Sequence, residues 1–240
     1  MQILELTLDN PAANVALDEA LLDAAEAGEL EDDEVLRLWE SPNYLIVVGR
    51  SSCIAKEIDL EATQKKGVPI LRRCSGGAAI VAGPGCLMYA VVLSYNNRPQ
   101  LHDLGIAHQF VLGRLAAAVE KQLPNVSICG TSDLAWRGRK FSGNSMRCKR
   151  HHLLYHGTIL YNMDISLIES LLRMPPRQPD YRRQRTHDEF VTNVPLNIDQ
   201  LRRDLCVVWR IDAHLENWPR QRTSELVEQQ YGRPEWIYRF

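Results

Sequence analysis

This sequence predicts an α/β (α+β) fold, and three observations predict it. Runs of strand length, apolar or alternating, recur along the chain. Between them lie segments with apolar residues at helical spacing, bounded by capping residues. Hydrophobic residues make up 45% of the 240, enough for a sizeable buried core. The length admits one large domain or two small ones. No internal repeat, low-complexity linker or break in composition marks a boundary, so residues 1–240 are read as a single domain.

Taken in order, Ile3 to Leu8 reads as a short first strand. Asn10-Pro11 supplies a cap and an N1 proline, and Ala13, Leu17, Ala20, Leu21 and Ala24 recur at helical spacing until Gly28, which predicts a helix with a buried stripe. Val35 to Trp39 and Tyr44 to Val48 read as two strands joined by a Ser-Pro-Asn turn, an expected antiparallel hairpin. A short helix at 58–66 should end at Gly67, and Val68 to Arg72 should be the strand that delivers a glycine-rich loop. Leu87 to Leu93 is apolar throughout, as expected of a strand buried on both faces. Ile106, Phe110, Leu112, Leu115, Val119 and Leu123 predict a long helix from Gly105 that stops at Pro124, followed by a strand at Val126-Ser127-Ile128. Leu153 to Tyr161 alternates as a strand does, and helices are expected at 165–172, 197–209 and 222–230. Residues 173–195, with four prolines and five arginines, read as a long surface loop of the kind that serves as a lid.

A formal charge of −2 argues against a general nucleic-acid binder, which shows a strongly basic domain. The charge is uneven: residues 26–34 are acidic, whereas 137–150 and 173–185 are rich in arginine and lysine, the pattern of an anionic ligand or acidic partner meeting one face. The six cysteines, at 53, 74, 86, 129, 148 and 206, form no C-x-x-C pair, and no secretory apolar segment precedes them; reduced thiols in a cytoplasmic protein are expected. No stretch approaches the ~20 apolar residues of a membrane span.

Two segments carry candidate chemistry. The first, Leu71 to Cys86, contains Arg72, Arg73, Ser75, Gly76, Gly77 and Ala78. The arginines offer forked donors for phosphate or carboxylate, and the small residues let backbone N–H groups approach an anion. The second, Gly130 to Ser145, sets Lys140 between a turn and Ser142-Gly143. Read alone, each is equally a solvated glycine-rich turn and a hairpin with a surface lysine. Phosphate-loop, dinucleotide, zincin and nucleophile-elbow motifs are absent. His151-His152 would point to opposite faces of a strand with no further ligand at metal spacing, so no metal site is expected.

Together the segments resemble the catalytic domain of the lipoate–protein ligase A family, in the biotin/lipoate ligase superfamily. The resemblance begins at Asn14-Val15-Ala16-Leu17-Asp18-Glu19 and continues through Leu38-Trp39 and Val48-Gly49-Arg50. It is strongest at Arg72-Arg73-Cys74-Ser75-Gly76-Gly77-Ala78, similar to the family's RRxSGGG, and at Ser132-Asp133-Leu134 with Gly138 to Ser145. It extends through His156-Gly157-Thr158 to Val191-Thr192-Asn193. It implies a mixed, largely antiparallel β-sheet flanked by helices, related to the catalytic domains of biotin ligases and class II aminoacyl-tRNA synthetases. The implied chemistry is activation of lipoate with ATP and Mg²⁺ to lipoyl-AMP and transfer to a lysine of a lipoyl-domain acceptor. By the same resemblance, Lys140 would be the catalytic point charge that holds the acyl carboxylate and the adenylate phosphate. Arg72, Arg73, Ser75, Gly76, Gly77 and Ala78 would line the acyl and nucleotide pocket, with Ser142 and Ser145 beside them. Asp133 would contact the nucleotide side, His156 and Gly157 would border the acyl carbonyl and chain, and Trp39 would pack the pocket wall.

Departures from the pattern open alternatives. Where the family carries A-V-[FY]-H-D-x-G-N, this chain has Ala79-Ile80-Val81-Ala82-Gly83-Pro84-Gly85-Cys86, which replaces a His, an Asp and an Asn and sets Cys86 where a polar group would face the pocket. The chain stops near where the catalytic domain should end, without the C-terminal accessory domain of many relatives, so a separate accessory chain or transfer-only chemistry is expected. One alternative is an octanoyl or lipoyl transferase working through a cysteine thioester. Arg173-Met174-Pro175 stands where one transferase branch has Pro-Cys-Gly, and Cys129, four residues before Asp133, is the candidate of another. A second alternative is a lipoate- or adenylate-binding protein without catalysis.

Overall fold

In a computed structural model that describes residues 1–240, the caps read from the sequence form where expected. β1 (Gln2–Glu5) leads to α1 (Pro11–Ala27), where the Asn10 side chain accepts from the Ala12 N–H and Gly28, at φ 70°, closes the helix onto the carbonyls of Ala24 and Ala25. β2 (Val35–Trp39), β3 (Leu45–Val48), α2 (Ile54–Glu57) and α3 (Leu60–Lys66) follow, then β4 (Ile70–Arg72), β5 (Ile80–Ala82) and β6 (Cys86–Ser94). Next come α4 (Leu104–Glu120), β7 (Val126–Cys129), β8 (Asp133–Trp136), β9 (Arg139–Cys148) and β10 (His152–Leu160). The chain ends with α5 (Ser166–Leu171), α6 (His187–Phe190), α7 (Ile198–Trp209), β11 (Ala213–His214), α8 (Arg220–Leu226) and α9 (Pro234–Ile237).

Eight strands build one mixed sheet in the order β11-β1-β2-β6-β10-β9-β8-β7. Only the β11-β1-β2 edge is parallel; from β2 to β7 each pair is antiparallel. The fold is therefore the mixed, largely antiparallel sheet with flanking helices that was expected. β6, buried along its whole length, is the shared spine of two cores. Its two-residue period sends Leu87, Tyr89, Val91 and Leu93 against α4 and α7, and Met88, Ala90 and Val92 toward α1.

Two expectations are corrected here. β2 and β3 do not form a hairpin: β2 lies between β1 and β6, whereas β3 enters a second sheet, β4-β3-β5, parallel to β4 and antiparallel to β5. Every residue of both strands is buried, so neither has the polar face that would have fixed its partner, and proximity in sequence does not decide the pairing. Residues 173–195 are largely irregular, as expected of a long loop, but they are not wholly a surface segment. They hold a single 3₁₀ turn at Asp180–Arg182 and then α6, started by a Thr186–Glu189 capping box, and Arg182, His187, Phe190 and Val191 are buried. Val191 makes a parallel bridge to Lys140, so this segment packs along the β8–β9 hairpin.

That hairpin turns through Arg137 and Gly138, at φ 51° and 73°, the left-handed pair of a two-residue turn. A bulge between Leu134 and Ala135 shifts the register, so Leu134 faces Ser142 and Ala135 faces Lys140. Bulges re-aim side chains, and here Phe141 goes into the core while Lys140 projects to the concave side.

Candidate functional site

The site is held from beneath by a charge pair under the sheet. Arg37, fully buried on β2, donates to Asp18 Oδ1 at 2.7 Å, to Asn14 Oδ1 at 2.8 Å and to the Asn14 carbonyl at 2.6 Å. Asn14 and Asp18 sit four residues apart on α1, which places both on the face turned to β2. The other oxygen of Asp18 lies 2.9 Å from His156 Nδ1, and His156 Nε2 lies 2.6 Å from Ser75 Oγ. A carboxylate only accepts, so Nδ1 carries the proton and, in the neutral ring, Nε2 accepts from the Ser75 hydroxyl. Ser75 Oγ in turn receives Arg73 Nε at 3.1 Å. This continuous chain of donors ties the glycine-rich loop to β10 and to the first helix.

The two adjacent arginines part company. Arg73 spends its guanidinium on the carbonyls of Val47, Gly76 and Ala78, and burial pushes it down to about 10. It still reaches a cavity wall. Arg72 does not: its side chain is fully buried and donates to the carbonyls of Gly49, Ser52, Trp236 and Ile237, while Trp236 Nε1 donates back to the Arg72 carbonyl. The expectation that Arg72 lines the pocket is corrected, because these carbonyls occupy its donors. Ser75, 1% exposed, also lies behind the wall, whereas Gly76 is exposed but on neither cavity wall, and its carbonyl accepts from Ser145 Oγ at 3.0 Å.

Two adjoining cavities open in front of this framework. One, of about 180 Å³, has an apolar floor of Val15, Trp39, Val47 and Met88, with Gly77, Asp133, Ser145, His156 and Gly157 around it. The other, of about 150 Å³, is walled by Ser142, Phe141 and Leu160 on one side and by Arg173, Arg177, Arg182 and Phe190 on the other. Lys140, Gly143 and Ala78 belong to both walls. The structure thus brings Trp39, Arg73, Gly77, Ala78, Asp133, Lys140, Ser142, Ser145, His156 and Gly157 to this double cavity, leaves Arg72 and Ser75 as its backing and sets Gly76 on the exposed loop beside it.

Lys140 is the pivot. Its Nζ lies 2.6 Å from Asp133 Oδ1, across the hairpin, and the ammonium is partly open to the cavities. The Gly143 Cα faces its tip: a Cβ there would lie 2.8 Å from both Cε and Nζ. Gly157 is equally constrained, since a Cβ would meet Asn144 Oδ1 at 2.0 Å and the Gly143 carbonyl at 2.6 Å. Asn144 itself knots the hairpin. Its Nδ2 donates to the Ser132 carbonyl at 2.7 Å, and its Oδ1 accepts from Tyr89.

Sequence reasoning missed Asp18, Arg37 and Asn144 as site framework, Gly143 as the seat of the lysine, and the floor residues Val15, Val47 and Met88. The only available signals were the Asn14–Asp18 spacing and the Gly143-Asn144 pair. The cysteines are placed away from the chemistry. Cys86 is fully buried against the Met88 sulfur rather than facing the pocket, because β6 is covered there, and burial pushes its thiol up to about 12. Cys129 lies on neither cavity wall, and burial and the Asp133 charge raise its thiol.

Comparison with known proteins gives one answer for family. The lipoyl protein ligase A/B catalytic domain matches residues 10–205. An octanoyltransferase LipM of Brevibacillus brevis is 27% identical over 269 residues, covering 96% of this chain and 95% of that protein. A putative lipoate-protein ligase A of Aeropyrum pernix is 29% identical over 238 residues, covering 97% and 80%. Among solved structures, a bipartite lipoate protein ligase of Thermoplasma acidophilum, described with its E2 lipoyl domain, superposes with a TM-score of 0.82 at 20% identity over 99% of this chain and 95% of that one. A lipoate-protein ligase A solved with ATP bound gives 0.79 at 22% identity, over 99% and 98%. At these identities the two structures establish the fold.

Proposed function

The chain belongs to the lipoyl protein ligase A/B catalytic-domain family, and from that premise we propose that it is an ATP-dependent lipoate–protein ligase. The observation that carries this reading is Lys140, set in the wall shared by an apolar-floored cavity and an arginine-rimmed one. The first suits a medium-length acyl chain, with Trp39, Val47 and Met88 against its methylenes; the second suits Mg·ATP, with Arg173, Arg177 and Arg182 toward the phosphates. Names among the similar proteins support lipoate, ATP and a lipoyl-domain acceptor as the chemistry.

In this reading a lipoate carboxylate oxygen attacks the α-phosphate of ATP, the bond to the β-phosphate breaks and pyrophosphate leaves. Lys140 stands between the carboxylate and the phosphorane-like charge and stabilises both without exchanging a proton, and Asp133 keeps its ammonium in place. Gly77 and Ala78 bring backbone close to the acyl carbonyl beside His156, whose ring Asp18 and Ser75 hold still. In the second step the acceptor lysine amine attacks the acyl carbonyl, the mixed-anhydride C–O bond breaks, and AMP leaves. Residues 1–240 act as one catalytic domain, and an accessory chain supplied in trans fits the bipartite precedent. No helix is long and apolar enough to cross a membrane, and we place the reaction in the cytoplasm.

A second reading, octanoyl transfer from an acyl carrier, is favoured by the octanoyltransferase named among the similar proteins. It needs a thiolate beside the acyl carbonyl, and neither cavity wall has a cysteine. One experiment separates the two. Purified protein is given lipoate, Mg·ATP and a lipoyl domain in one arm and octanoyl-acyl carrier protein in the other, and all species are followed by intact mass. ATP-dependent acceptor modification, unchanged in Cys129→Ala, supports the ligase. A covalent octanoyl adduct that Cys129→Ala abolishes, with no ATP-dependent product, supports the transferase instead.

A further inference from the structure

Asp133 has two carboxylate oxygens, and each has a different partner. Oδ1 faces Lys140 Nζ at 2.6 Å, whereas Oδ2 accepts from the Tyr181 hydroxyl at 2.8 Å. Tyr181 is 48 residues away in sequence, in the turn Asp180–Arg182 of the segment that walls the arginine-rimmed cavity. Its ring is fixed by Phe190, 5.0 Å away between centroids, and passes over Gly130, where an added Cβ would lie 3.6 Å from Tyr181 Cε1 and 3.3 Å from Pro179 Cβ. Burial and the Asp133 charge raise the phenol far above its ordinary range, so at working pH it keeps the proton that it donates to the carboxylate. Besides Lys140 and Tyr181, the Asp133 charge acts on Cys129, its partner across the β7–β8 pair, and on Tyr155 of β10, while Arg185 donates to the Tyr181 carbonyl at 2.8 Å. Of these, Tyr181 and Lys140 alone bond to the carboxylate.

A carboxylate without a second donor can rotate, pull Lys140 in with both oxygens, or release it. We propose that Tyr181 is a positioning residue: its hydroxyl pins Asp133 so that a single oxygen meets Lys140, and it thereby couples the packing of the 173–190 segment over one cavity to the placement of the ammonium that serves both. This rests on the ligase reading of the double cavity and adds to it a residue outside the motifs that carry the family resemblance. It also accounts for a link between two walls contributed by distant parts of the chain.

The test uses the full chain and the variants Tyr181→Phe, Asp133→Asn and the double variant. Rates of acyl-adenylate formation are measured by single turnover with Mg·ATP across a series of lipoate concentrations. Tyr181→Phe keeps the ring on Phe190, so the thermal midpoint should hold. The rate should fall by roughly tenfold, the scale of one hydrogen bond to a charged group. The loss should fall on the rate at saturating lipoate and not on the half-saturating lipoate concentration, because the hydroxyl acts through the ammonium and touches no substrate. In the Asp133→Asn background the same change should add little, since the hydroxyl acts through the carboxylate. The parental rate in Tyr181→Phe overturns the proposal, and so does a loss of equal size in both backgrounds, which marks a structural role. If Tyr181→Phe lowers the midpoint, the comparison of the two backgrounds still decides. Failure of the unmodified protein to form any adenylate instead strikes the ligase reading.

Discussion

Gly143→Ala puts the seat of Lys140 to a sharp test. A methyl at Gly143 would lie 2.8 Å from Lys140 Cε and from Nζ, and 3.9 Å from Asp133 Oδ1. Carbon contacts become comfortable near about 3.5 Å, so the ammonium must retreat by roughly 0.7 Å. Such a shift disturbs the 2.6 Å pair with Asp133 and moves the charge away from the space shared by the cavities. The displaced group is the free end of a flexible side chain, so folding should scarcely notice. Catalysis should, because a misplacement on the order of 1 Å costs up to roughly 10²-fold, equivalent to about 2.7 kcal/mol of barrier. The assay is acyl-adenylate formation from lipoate and Mg·ATP, with circular dichroism and a thermal midpoint on the same sample. The expected result is an activity loss of that order at a near-native midpoint. A well-folded Gly143→Ala protein with the parental rate would refute the claim that Lys140 is placed by this contact.

Other outcomes follow from the framework. Asp18→Ala strips the fully buried Arg37 of its charge partner and should destabilise the fold by about 3–5 kcal/mol in urea unfolding; a change below about 1 kcal/mol would contradict the pairing. Gly157→Ala drives a methyl into Asn144 and the β9 backbone, and unlike Gly143→Ala it should lower the thermal midpoint and the yield of soluble protein. Burial pushes the Glu26 carboxyl up, but the N–H groups of His151 and Arg150 and the His152 ring outweigh it and leave it below its ordinary value. The folded state therefore binds that proton more weakly than the unfolded chain. The stability this adds is complete above the unfolded carboxylate range and is lost as pH falls through the folded value. The midpoint difference between the parent and Glu26→Gln should accordingly shrink from about pH 6 to about pH 3, and a constant difference would argue against the linkage.

Legibility in the sequence followed the physics of each element. β6 could be read because a continuous apolar run has one economical place, the middle of a sheet between two cores. The first helix could be read because Asn10, Pro11 and Gly28 act locally. The β2–β3 link could not, since two strands buried on both faces carry no alternation to choose a partner. Arg72 and Arg73 are neighbours of the same type, yet one is bound by carbonyls more than 160 residues later in the chain and the other by its own loop. No local pattern separates them. Lys140 was legible through the segment around it, whereas its contact with Gly143 and the bond from Tyr181 to Asp133 depend on a bulge and on a distant turn that only the folded chain brings together. Cys86 shows the converse: a residue in a motif position can be covered by the fold and leave the chemistry entirely.

The account rests on Lys140 as the fixed charge for acyl activation. Its most direct test is the single-turnover rate of acyl-adenylate formation in Lys140→Ala, compared with the parent at saturating lipoate and Mg·ATP, with folding checked on both. Loss of one preorganised donor predicts a fall of roughly 10²–10³-fold in that step, with Lys140→Arg recovering little because a planar fork does not fit the place of a compact ammonium. A folded Lys140→Ala protein that forms the adenylate at the parental rate would contradict it.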